Sequence, residues 1–224
     1  MARATRDDPV TAYARAVAEG QVLANRLVRI ACERHLADLT TATARGLRFH
    51  RAAARHAIAF FGFLRHSKGE WAGQTFDLAL WQAFVVGSLF GWQRADGLRR
   101  FRTAYCAVPR KNGKSTLSAG IALYLLVADG EQGTEVYSAA TTRDQARIVF
   151  DEAKRMVKSS PALRRRVAVL INNLNVETSA ARFMPLSSDA SSMDGLNVHG
   201  AIIDELHAHR TRNVVDVLET ATGA

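Results

Sequence analysis

The chain has 224 residues, 48% of them hydrophobic, enough for one good core or one domain with a helical extension. Its 30 basic residues against 21 acidic ones give +9, and residues 1–66 alone hold 11 Arg against 5 acidic residues. No run of 18 apolar residues and no secretory leader pattern is present, and the two cysteines, Cys32 and Cys106, are too far apart in sequence to suggest a disulfide framework or zinc site.

Residues 1–10 read as disordered. From 11 to 45, Val22, Leu23, Leu27, Val28, Ile30, Ala31 and Leu36 alternate with Arg26, Arg29, Glu33 and Arg34 as in one amphipathic helix. Residues 48–65 read as a second helix ending near Ser67-Lys68-Gly69, with a hinge over Gly69 to Gly73. Residues 1–66 are therefore expected to form a helical subdomain or lid, and 67–224 a separate core. A helix over 77–90 carries Trp81 and Gln82.

Phe101 to Val108 reads as a strand closed by Pro109, and Leu117 to Val127 as an apolar helix. Between them lies Arg110-Lys111-Asn112-Gly113-Lys114-Ser115-Thr116. A Gly-Lys-Ser turn opening a helix presents unpaired N–H groups and the positive dipole end to an anion. Gly113 allows close approach, Lys114 suits β/γ-phosphates and the Ser115 hydroxyl suits Mg²⁺. The full pattern G-x-x-x-x-G-K-[ST] wants Gly at 108, where this chain has Val108, so the match is partial.

A strand over 134–139 and a helix over 142–159 follow, with Thr142 as N-cap and Gln145 at the third helical position. Pro161 marks a break, 166–184 read as two or three short strands, and a last helix starts near 211. Val198 to Ile203 is an apolar strand that ends in Asp204-Glu205. Ligand sites lie beyond such strand ends. There Asp204 is expected to hold Mg²⁺ through water and Glu205 to deprotonate the attacking water. His207 and His209 lack a third ligand at metal spacing and read as helix-start or surface residues. Alternating strands and helices argue a three-layer α/β sheet.

With both motifs placed, the chain resembles the large subunit of the tailed-phage DNA-packaging terminase. The resemblance runs from about Tyr13 to Gly223, over Ala31 to Leu36, Lys68-Gly69-Glu70, Phe76-Asp77-Leu78, Trp81-Gln82, Leu89 to Trp92, Pro109 to Thr116, Ala139 to Thr142 with Gln145-Ala146, Asp194 to Asn197 and Ile202 to His207. It implies a P-loop sandwich of the catalytic-glutamate branch, with a mostly parallel sheet. It also implies a deviant phosphate loop without the first Gly and with a basic residue, Arg110, before the Gly-Lys. Trp81-Gln82 becomes the adenine-binding element, and Thr141, Thr142 and Gln145 an element that couples nucleotide to DNA. Some relatives carry an Arg-Gly finger where this chain has Asp194-Gly195, which leaves Arg143, Arg147 and Arg182 as candidates on chemistry alone.

The resemblance further implies ATP and Mg²⁺ as cofactors, and double-stranded DNA, a small terminase subunit, a portal ring and other copies of the chain as partners. Work would take place in the bacterial host cytoplasm, with no membrane. The next element expected after Ala224 is a core strand that lies between the phosphate-loop strand and the acidic strand, followed by a nuclease domain; neither is matched here. The chain is thus expected to be the N-terminal ATPase part of a longer subunit or of a truncated prophage gene, weak or inactive as an ATPase alone and without nuclease activity. Two rivals stand beside this reading: a helicase-like ATPase, and a non-catalytic prophage remnant with a basic DNA-binding surface.

Overall fold

The computed structural model describes residues 8–186, 196–209 and 211–222. Their contacts form two compact units, one made of residues up to 61 with 77–107, the other of 62–76 with 108 onward. A single cut at 66/67 would leave the helix that carries Trp81 and Gln82 in the second unit, whereas its contacts place it in the first.

In the first unit, α1 (Pro9–Ala18) starts at Asp8, whose carboxylate accepts from the N–H groups of Val10 and Thr11, with Pro9 in the first turn. Pro9 and Val10 are therefore helical; residues 1–7 lie outside the described residues. The single helix expected over 11–45 is two. Gly20, at φ 76°, takes the left-handed conformation after α1, and Asn25 then caps α2 (Arg26–Thr41) by accepting from the Val28 N–H at 3.0 Å. The break divides the apolar pattern between two axes, so Leu23 is 99% exposed and Leu27 72% exposed.

β1 (Leu47–Phe49) takes up the start of the expected 48–65 helix, which is shortened to α3 (Arg51–Phe60). After α4 (Leu80–Gly91), β2 (Trp92–Arg94) pairs antiparallel with β1. A Cβ on Gly87 of α4 would lie 2.3 Å from Val10 Cγ2, so α1 and α4 meet over a bare backbone.

A directional hydrogen-bond chain crosses this unit. Trp92 Nε1 donates to His35 Nδ1 at 3.0 Å, which leaves the His35 proton on Nε2, 3.1 Å from Thr11 Oγ1. Thr11 Oγ1 in turn donates to Asp8 Oδ2 at 2.9 Å. Burial pushes His35 down to about 4, helped by Arg100 and opposed by Asp8 and Asp38.

The second unit begins with the 62–76 segment, where the expected hinge contains a short 3-10 turn, Gly69–Trp71. Then come α5 (Lys114–Val127), β3 (Glu135–Ala139), α6 (Arg143–Ser159) and α7 (Pro161–Arg164). Ser160 separates the last two helices and caps the second. β4 (Ala168–Val169), β5 (Leu174–Val176), β6 (Ala181–Pro185), β7 (Val198–Ile203) and α8 (Asn213–Ala221) complete it.

The sheet runs β4-β5-β6-β3-β7. β3 lies parallel to both β6 and β7, while β4, β5 and β6 are antiparallel, so the sheet is mixed. Alternation along β3 sends its side chains to two helical layers. On one face Ser138 Oγ donates to Ala146 O of α6, Phe150 meets Phe183 edge-on at 5.4 Å, and Leu125 of α5 covers Gly200. On the other, Tyr137 and Ala139 pack with Val214 and Leu218 of α8.

One expected strand does not form. Residues 101–108 have no regular structure, and Arg102 to Ala107 are exposed. The neighbours of β3 are β6 and β7, and among the described residues no strand pairs with the outer side of β7 or with 101–108. Alternating apolar residues make a strand only where a ladder partner satisfies the backbone.

Candidate functional site

The phosphate-loop candidate covers Pro109 to Gly113 and leads into α5. Two of its residues hold the left-handed conformation, Lys111 at φ 66° and Gly113 at φ 73°. Glycine does so at little cost; lysine does not, so the loop is fixed by its surroundings. The Asn112 amide supplies part of that constraint, with Nδ2 donating to Pro109 O at 3.3 Å and Arg110 O at 3.2 Å. No side chain caps the start of α5, and the first-turn N–H groups of a helix have no partner within it. Arg110 and Lys111 are exposed on the loop, and Ser115 and Thr116 sit half-buried in the first turn of α5.

β7 delivers the acidic pair to the same place. The Asp204 N–H extends the ladder to Ala139 O at 3.0 Å, and its side chain is only 11% exposed. Glu205 turns sharply, at φ 48° and ψ 47°, with its N–H bonded to Asp204 Oδ1 at 2.9 Å. Both carboxylates meet the first residue of α5. Lys114 Nζ lies 3.0 Å from Asp204 Oδ1 and makes a short contact with Glu205 Oε1. The Glu205 contact, with Asp204 behind it, holds the Lys114 ammonium above the usual lysine range, and Lys114 holds Glu205 below the usual carboxylate range. Residues 91 positions apart are thus joined by the close packing of α5 on β7.

The donor set suits Mg²⁺ beside a nucleotide. A Ser hydroxyl and an Asp carboxylate are hard oxygen ligands, and this metal takes most of its remaining shell from phosphates and water. No group of three or more His, Cys, Asp or Glu that could hold a metal occurs among the described residues, and such a group is not needed for that mode. His207 is largely exposed, and its Nδ1 lies 3.5 Å from Glu205 Oε2.

Other expected residues sit elsewhere. Trp81 and Gln82 belong to the first unit, where Trp81 packs on the α1–α2 core. Gln82 is buried, and its Oε1 accepts from the Ala79 N–H at 2.9 Å, which caps α4 and leaves the amide N–H groups as donors. Thr142 caps α6 as expected, accepting from the Gln145 N–H at 3.2 Å, and Thr141 Oγ1 makes a short hydrogen bond to Gln145 Oε1. Of the finger candidates, Arg147 is bonded to Asn172 Oδ1 and Ile171 O, and Arg182 to Glu135. The Arg143 side chain and Asp194-Gly195 lie outside the described residues. Sequence reading missed the bracing role of Asn112, for which the only signal was an Asn inside a turn.

Residues 80–222 match the family described as the terminase large subunit, ATPase domain. The large terminase subunit of Enterobacteria phage HK97 is 36% identical over 131 residues, which are 54% of this chain and 25% of that protein. The crystal structure of the HK97 bacteriophage large terminase aligns with a TM-score of 0.65 at 29% identity, over 76% of this chain and 35% of that one. The chain therefore spans about a third or less of the length of these relatives. The match over 80–222, with a Lys114–Asp204–Glu205 centre in the mixed α/β core, makes this chain a member of the terminase large subunit ATPase family.

Proposed function

We propose that this chain is the ATP-hydrolysing part of a motor that moves double-stranded DNA into a viral procapsid. The observation that carries the reading is the meeting of Lys114 with Asp204 and Glu205 where α5 begins and β7 ends. Lys114 and Arg110 bind the β- and γ-phosphates, and the N–H groups of 113–116 cradle them. Ser115 and Asp204 hold Mg²⁺, which when bound neutralises charge developing on the phosphates. Glu205, kept ionised by Lys114, accepts the proton of the attacking water. Phosphates arriving at the loop draw Lys114 away from Glu205, so nucleotide binding frees the base as it positions the substrate.

Trp81 and Gln82 are proposed to contact adenine through the free amide donors of Gln82. Thr141, Thr142 and Gln145 are proposed to pass the nucleotide state towards DNA from the end of β3. The basic charge suits duplex phosphates. A portal ring, a small terminase subunit and further copies of this chain complete the proposed machine in the bacterial cytoplasm. Among the described residues no helix is long and apolar enough to cross a membrane.

The test is Glu205→Gln in the full-length subunit. ATP binding is expected to persist, while hydrolysis falls by a factor of about 10²–10⁴, the usual worth of a general base. Wild-type turnover in that variant would remove Glu205 from the chemistry.

A further inference from the structure

The first unit holds a cavity of about 40 Å³ between α2, α4 and the residues that follow β2. Arg34, His35 and Asp38 of α2, Ser88 of α4, and Arg100 with Phe101 give its wall its chemistry. Arg34 is exposed, so the cavity reaches the surface beside it. The space takes about three waters, or one group of three heavy atoms. None of the wall residues belongs to the second unit, which contains the phosphate loop and the acidic pair, and Trp81 and Gln82 are not among them.

The acceptors in this wall are already engaged. Asp38 is 6% exposed and holds Arg45 through Oδ1 and Arg100 through Oδ2, the latter at 2.5 Å. His35 Nδ1 accepts from Trp92 and its Nε2 proton goes to Thr11, while burial keeps the ring uncharged above about 4. What remains is donors. Ser88 Oγ is buried with no hydrogen-bond partner among the described residues, a costly state for a hydroxyl. The Arg34 guanidinium lies 5.1 Å from the centre of the Phe101 ring and has no carboxylate partner among the described residues. Arg100 lies 4.9 Å from the same ring, which therefore holds two guanidinium groups at the cavity. Three cations, Arg34, Arg45 and Arg100, against the one anion Asp38 leave a local charge of +2.

We propose that this cavity binds a carboxylate group, with the Arg34 guanidinium and the Ser88 hydroxyl donating to its oxygens. A carboxylate accepts without donating, has three heavy atoms and carries the negative charge that the wall lacks. The Trp92 indole lines the cavity, so its N–H resonance reports occupancy. Titration of the purified chain with sodium acetate, at ionic strength held constant with sodium chloride, is expected to shift that resonance to saturation and to leave the Trp71 indole of the second unit in place. Arg34→Ala is expected to weaken acetate about tenfold or more, the usual cost of a lost charged hydrogen bond, and Arg34→Lys to recover part of the loss. Ser88→Ala is expected to weaken acetate about two- to tenfold, yet to leave thermal stability without acetate undiminished, because the hydroxyl has no partner to lose. A capped aspartate, which carries the same group on a peptide, separates the sources: binding tighter than acetate assigns the site to a protein side chain, and binding weaker than acetate assigns it to a free acid. No saturable shift of the Trp92 indole, the same shift with chloride alone, or unchanged acetate affinity in Arg34→Ala overturns the inference. So does a loss of acetate-free stability in Ser88→Ala.

Discussion

Replacing Gly200 with alanine asks how closely α5 must lie on β7 for Lys114 to reach the acidic pair. A Cβ at Gly200 would stand 2.6 Å from Leu125 Cδ1 and 3.7 Å from Cγ. The near atom is the tip of one side chain, so Leu125 must turn or α5 must lift. Overpacking of this kind costs about 1–3 kcal/mol, and the smaller unfolded-state entropy of Ala returns about 0.4–1 kcal/mol. The net expectation is a loss of about 1–2 kcal/mol, read from urea unfolding followed by Trp fluorescence. A lifted α5 also carries Lys114 off Asp204, so Mg-ATP affinity is expected to fall with stability.

Leu125→Ala alone is expected to cost about 2–5 kcal/mol as a core truncation. In the double variant the space left by Leu125 accepts the new methyl group, so the combined loss is expected to be about 1–2 kcal/mol less than the sum. Single losses that add to within about 0.5 kcal/mol, or Gly200→Ala with unaltered stability and ATP affinity, would show that the clash does not set this distance.

Acid is expected to loosen the first unit through His35. Its folded value, about 4, lies below the ordinary 6.5, so the stability it contributes is complete above about 6.5 and drains as pH falls towards 4. At pH 5 the loss is about 2 kcal/mol, or about 1 kcal/mol after discounting for solvent screening. His35→Gln is expected to flatten the urea midpoint between pH 7 and 5, and an unchanged slope would exonerate the ring. Thr142→Ala is expected to cost about 1 kcal/mol through the lost cap of α6, and Thr142→Asp much less; equal losses would argue against capping.

The parts of the site that were legible in the sequence are those with local signatures. Gly113-Lys114-Ser115 opens an apolar helix, Asp204-Glu205 closes an apolar run, and Thr142 stands before a polar-apolar helix, so α5, β7 and α6 could be placed from spacing. The misreadings came from non-local causes. Residues 101–108 carry a strand pattern but have no ladder partner among the described residues. The 11–45 pattern spans two helices because Gly20 and Asn25 outweigh a continuous apolar stripe. The grouping of α4 with the leading helices follows from tertiary packing, such as Gly87 on Val10. The bond from Ser67 to Glu152 joins residues 85 apart, neither with a local signal.

The central claim is that Lys114, Asp204 and Glu205 form a nucleotide site, and binding of Mg-ATP to this chain tests it most directly. Calorimetry is expected to show one site per chain, with affinity at least a hundredfold weaker in a Lys114→Ala chain that remains folded. Wild-type affinity in Lys114→Ala, or salt-sensitive DNA binding by a chain that binds no nucleotide, would contradict the account.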